Sequence, residues 1–232
     1  MSIFLLGSFV GATAEDCSVE NTNTEECFSS IQSALEDDDT TDGDTVEVAS
    51  GVYKEHITIN KSITLKGPNA SIDPTDEAVT RKPEAEISPD GVEDPSLTIQ
   101  ADGVTVAGFR FDGNNLTAKN AILGGWWGDN DVNSLTLKNN TIKNYLEYPI
   151  RLHHVSHSLI KNNLIKNNGV VYRNSDESKY VEDFGGIRVD NSSNITVLGN
   201  KIIENGLTAI QLVGTDNASI IDNVAKENHI SP

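Results

Sequence analysis

Four asparagines recur at a fixed step through the last hundred residues. Asn140, Asn163, Asn200 and Asn223 sit in the segments LTLKNNTI, LIKNNLI, ITVLGNKI and SIIDNVA. The first and last intervals are 23 residues, and the middle one is 37, which is 23 plus an insertion of 14. A step of this size marks a chain of stacked coils, in which each repeat buries its apolar face only against its neighbours.

The columns of the repeat define its local structure. Three positions before the asparagine stand Leu137, Ile160, Val197 and Ile220; two positions after it stand Ile142, Ile165, Ile202 and Ala225. Five before it come Leu135, Ser158, Ile195 and Ala218. Further upstream, Ile150 and Leu152, Ile187 and Val189, and Ile210 and Leu212 form matching pairs. Within each pair the spacing is two, the period of a strand, so alternate side chains point in and out. Like strands of successive coils then stack in parallel, about 4.8 Å apart. The expected fold is all-β: a single-stranded right-handed parallel β-helix, a three-faced solenoid of about 23 residues per coil, because crossovers between parallel strands are right-handed. The recurring asparagine is expected in a turn, in left-handed backbone geometry, with its side chains stacked as a ladder.

At 232 residues the chain is one domain's worth. Residues 1–14 read as the remnant of a secretion signal, an apolar run ending in Ala12-Thr13-Ala14, too short to span a bilayer. Residues 15–43 read as an N-terminal cap with a helix over 28–37, where Phe28, Ile31 and Leu35 share one face. Residues 44–232 read as the β-helix, which stops in mid-repeat at Pro232. That stop implies a truncated chain or an end that takes further coils or a capping domain. Residues 68–95, rich in Pro, Asp and Glu, read as an excursion from the stack. Cys17 and Cys27 are the only cysteines, and a pair so placed after a secretion signal suggests a local disulfide. The formal net charge of −18 excludes nucleic acid and anionic membrane as natural partners.

Outward positions on the strands can carry chemistry. Arg151, Arg188 and Gln211 form one outward column, and His153, Asp190 and Val213 form the next. His153 and Asp190 become neighbours across one strand gap and could act as a general acid/base couple, with Arg188 beside them. Arg151 and Arg188 could grip a carboxylate as planar forks. Trp126, Trp127, Tyr148 and Tyr172 lie in or near two insertions beside this face, and flat rings beside hydrogen-bonding groups suit a sugar. Exposed Arg, His and Asp on a sheet also serve as cross-strand charge pairs, and the tryptophans could fold over an apolar loop base. His153, His154 and His157 do not form a convincing metal set, because strand alternation sends 153 and 154 to opposite sides.

The run IQSALEDDDTTDGDTVEVASGVYKEHITINKSITLKGPNA, residues 31–70, resembles the opening of pectin-lyase-like parallel β-helix proteins. The later repeats resemble the β-helix repeats of carbohydrate-binding and sugar-hydrolysing proteins, including the NosD-like periplasmic group. The resemblance covers about residues 28–230 and implies a secreted or cell-surface protein that engages polysaccharide along its strand face. Two other functions stay open: a polysaccharide lyase or glycoside hydrolase acting on an acidic glycan, or a structural module of a larger surface protein. No cofactor is implied, except Ca2+ if the chain is lyase-like. The Asp-Pro-His strand motif of alginate epimerases is absent; the nearest run is Tyr148-Pro149-Ile150-Arg151-Leu152-His153. Fold alone does not choose among these activities.

Overall fold

A computed structural model describes residues 17–89, 95–114, 118–125, 131–169 and 184–228. The signal-like segment 1–14 lies outside the described residues, as do Trp126, Trp127 and Tyr172.

The strands fall into three long sheets that run along one solenoid. In the first sheet, Thr45–Val48, Thr64–Lys66, Thr105–Ala107, Thr136–Lys138, Leu159–Lys161, Thr196–Leu198 and Ser219–Ile221 pair in parallel. The second runs from Gly51–Tyr53 through Arg110–Asp112, Thr141–Lys143 and Leu164–Lys166 to Val224–Lys226. The third runs from Ile57–Ile59 through Ile122–Gly124, Ile150–His153 and Gly185–Asp190 to Thr208–Val213. The register matches the columns: Ile150 pairs with Ile187, and Ile187 with Ile210. Inward residues such as Leu65, Val106, Leu137, Ile160 and Val197 stack into a dry row. Each contributes about 1.5–3 kcal/mol by leaving water, and the core lengthens with every coil rather than thickening.

The asparagines do form a ladder, but not in left-handed geometry. The residue before each one takes the positive φ: Asn139, Asn162, Gly199 and Asp222. That residue turns the corner, and the next side chain points inward. Asn140, Asn163 and Asn200 are buried, and the Oδ1 of Asn163 and of Asn200 each accepts from the backbone N–H and the Nδ2 of the asparagine one coil before it. Phe109 heads the row, its N–H donating to Asn140 Oδ1 at 3.0 Å. A second ladder runs five residues later, through Asn168, Asn205 and Asn228, with the Tyr145 N–H at its head.

The N-terminal end is closed by a short helix, Ile31–Glu36, rather than one over 28–37. Ser30 caps it, and Phe28 instead ends the strand Glu26–Phe28, which pairs with Val19–Asn21. Ile31, Ala34 and Leu35 face the core. Glu55 accepts the Ile31 and Gln32 N–H groups, and Gln32 Oε1 accepts the edge N–H of Thr58. The helix thereby answers polar groups that a bare strand edge would leave open. A disulfide joins Cys17 to Cys27 across the hairpin that continues the first sheet.

The excursion is shorter than its composition implies. Ala85–Ile87 is a strand of the second sheet, between Gly51–Tyr53 and Arg110–Asp112. Residues 68–84 are therefore one enlarged turn between the first two sheets. Asn69 ties its base, donating to Lys82 O and Glu84 Oε2 and accepting from Lys82 N–H. Arg81 pins it to the stack through Asn139 O, 3.1 Å away.

Candidate functional site

The outer face of the third sheet brings the outward columns together. Arg151 lies beside Arg188, and Arg188 beside Gln211; His153 lies beside Asp190, and Asp190 beside Val213. The inward partners Ile150, Leu152, Ile187 and Val189 are fully buried, which locks the register and aims these side chains outward.

The polar groups are already engaged with one another. Arg188 Nε donates to both oxygens of Asp190, at 2.8 and 3.1 Å. Its Nη1 donates to Gln211 Oε1 at 3.1 Å, and the Tyr148 hydroxyl donates to the same oxygen at 2.7 Å. Asp190, outward in register, is only 5% exposed. The guanidinium is held above its ordinary pKa, first by the bond to Asp190 and against the pull of desolvation. Arg151 Nη1 lies 3.8 Å from Glu147 Oε2. Among the described residues Gln211 Nε2 makes no hydrogen bond, which leaves a donor amide on the face.

Tyr148 does not present an open ring. It is 3% exposed, with the Arg188 guanidinium carbon 5.5 Å from its centroid and Phe184 edge-on at 5.9 Å. The ring supports Arg188 and orients Gln211 instead of offering a stacking surface. Phe184, Glu147 and Asn191 join the site without having been singled out from the sequence. Phe184 stands just before Gly185 and Gly186, where a Cβ would strike the Thr208 and Ala209 carbonyl oxygens. Those glycines allow the close strand approach.

His153 Nε2 lies 3.1 Å from Asn191 Nδ2. With the amide donating, Nε2 carries no proton. Burial is the main cause that lowers the His153 pKa; neighbouring His154 adds to it, and Asp190 opposes it. The ring is therefore less protonated than a free imidazole at the same pH. The His153 and His154 rings stack, with centroids 4.2 Å apart. Strand alternation would have separated them, but His154 has φ +54, which breaks the alternation and brings its ring round. His157 lies in a turn column with Asn194 and Asn217, as its spacing implies. Among the described residues, the ligand atoms that could share a cation belong to Glu26, Asp37 and Asp39, on the N-terminal cap. No helix of the described residues is long and apolar enough to cross a membrane.

Comparison with known proteins follows this geometry. The chain is 32% identical over 144 residues to a cell surface glycoprotein of Methanothermus fervidus, a match covering 62% of this chain and 20% of that protein. The chain thus spans about a fifth of the length of this curated relative. Among solved structures it is similar to a provisionally assigned glycosyl hydrolase from Parabacteroides merdae, at 9% identity and a TM-score of 0.48, covering 78% of this chain and 79% of that one. It is also similar to the A-module of a mannuronan C-5 epimerase from Azotobacter vinelandii, at 12% identity and a TM-score of 0.36, covering 86% and 91%. Residues 99–231 match the model of the right handed beta helix region. With more than half of its length under that model, and with parallel sheets stacked as the repeat requires, the chain belongs to the right-handed β-helix family.

Proposed function

We propose that this chain is a module of an extracytoplasmic surface protein that binds polysaccharide on the outer face of its third sheet. The observation that carries the reading is the preset network of Tyr148, Arg188, Asp190 and Gln211. Buried or half-buried groups fix one another there, so a ligand would meet the Gln211 amide already ordered, with Arg151 next in the same column. Ordering a site in advance lowers the entropy cost of binding. The named relative, a cell surface glycoprotein, and the Cys17–Cys27 disulfide both support an extracytoplasmic setting. In a larger surface protein of that kind, further coils would cover Ile220 and Val224, each 52% exposed on the last described coil.

Binding fits the face better than bond cleavage. The carboxylate that would orient His153 is instead taken by Arg188, which stays charged at every working pH. A lyase or hydrolase remains the alternative, and one screen separates the two. Acidic and neutral polysaccharides are titrated with and without calcium, reading binding, unsaturated product and reducing ends in parallel. Binding without either product is expected. Gln211→Ala is expected to weaken that binding about 5- to 30-fold, the worth of about 1–2 kcal/mol of hydrogen bonding. Full affinity in Gln211→Ala, or no glycan bound at all, would remove this reading. Product formation abolished by His153→Ala would establish the enzyme instead.

A further inference from the structure

We propose a second carbohydrate site, for an acidic oligosaccharide, in the groove between residues 79–84 of the enlarged turn and the outer face of the second sheet. The groove has a volume of about 590 Å³. Its cations are Arg81, Lys82, Arg110, Lys143 and Lys166. That is five of the 17 lysines and arginines in a chain with 35 acids, so they are concentrated here against the overall charge.

Ion pairs within the molecule use only some of them. Arg81 bonds Glu84, Arg110 pairs with Glu86 at 3.2 Å, and Lys143 pairs with Asp112 at 2.7 Å. Lys82 and Lys166 make no ion pair among the described residues. One stands on the wall and one on the floor, so a ligand lying between them would meet uncompensated positive charge from two sides. Lys143 and Lys166 are register neighbours on adjacent coils, about 4.8 Å apart along the axis. Between the cations the groove presents Val79, Leu164 and Pro83. An apolar patch framed by ammonium and guanidinium groups fits a sugar ring that carries a carboxylate. A neutral sugar would accept hydrogen bonds from the two lysines but would form no ion pair with them. The walls also focus the field of these charges into the groove.

This site is separate from the third-sheet face, where Arg188 is already neutralised by Asp190. The test is a calorimetric titration of the full chain with a short oligogalacturonate, and with a neutral cello-oligosaccharide, at low salt. The acidic probe is expected to bind and the neutral one to bind at least tenfold more weakly, with the acidic affinity falling as salt rises. Lys82→Glu with Lys166→Glu is expected to cost at least tenfold, and the milder Lys166→Gln several-fold. Lys138→Glu with Lys161→Glu makes the same charge change on the first sheet and is expected to stay within twofold. Equal losses in the two double variants would overturn the site, because net charge alone would explain them. No binding of the acidic probe would also overturn it. A loss confined to Gln211→Ala would overturn it too, while leaving the third-sheet reading intact.

Discussion

Asn163→Ala is expected to lower the free energy of unfolding by about 3–5 kcal/mol, read as a shift in the urea midpoint. The side chain is fully buried and holds three coils together. Its Oδ1 accepts from the Asn140 N–H at 3.0 Å and from Asn140 Nδ2 at 3.1 Å. Its Nδ2 donates to Leu137 O at 3.0 Å and to Asn200 Oδ1 at 2.9 Å. Truncation leaves these partners in a dry interior, where an unmet donor costs about 1–3 kcal/mol. The neighbouring residue provides the control. Asn162 is in left-handed geometry with φ +52, in the column where Gly199 stands. Asn162→Gly suits that conformation and is expected to change stability by less than about 1 kcal/mol. Two adjacent asparagines should therefore respond very differently. Equal responses would mean that the inward ladder does not carry the stack.

Arg81→Ala is expected to cost about 2–4 kcal/mol and to expose the turn over residues 68–84 to proteolysis. The guanidinium meets Glu84 through Nε and Nη2, at 2.8 and 3.0 Å. It also donates to Ile72 O and Asn139 O, at 3.2 and 3.1 Å. One side chain thus joins the turn to the corner of a coil 58 residues away. Its loss leaves Glu84 half answered, with Asn69 Nδ2 as its remaining partner. The bridge between Glu77 and Lys201 crosses the same gap but is exposed on the glutamate side and contributes little alone. Arg81→Lys is expected to rescue only partly, because a point charge cannot serve two carbonyls and a carboxylate together. A full rescue by lysine would show that charge rather than the planar fork holds the turn.

The sequence carried the stack because each coil repeats its neighbour. A strand of three residues holds only one or two inward side chains, too few to show a period alone. Ile150, Ile187 and Ile210 become legible as a column only through their shared distance to the ladder asparagine. Where the repeat is interrupted, the information fades. Ala85–Ile87 is lost among prolines and acids because its coil carries the enlarged turn. The second ladder follows the same 23- and 37-residue steps through Asn168, Asn205 and Asn228, yet Tyr145 at its head hides it. The outward columns Arg151–Arg188–Gln211 and His153–Asp190 follow from register alone. Which of these groups pair does not follow, because Arg188 reaches along its own strand to Asp190, two residues away. Nor does the stacking of His153 on His154, which depends on one left-handed residue.

The most direct test of the proposed function is a chemical-shift map of the isotope-labelled chain, titrated with the glycan that binds best in the screen. Shifts are expected to cluster on the outer face of the third sheet, at Arg151, Arg188 and Gln211, with the inward Ile187 and Val189 side chains little changed. Shifts confined to other surfaces, or saturation with no change at Arg188 and Gln211, would contradict the claim that this strand face is where the protein meets polysaccharide.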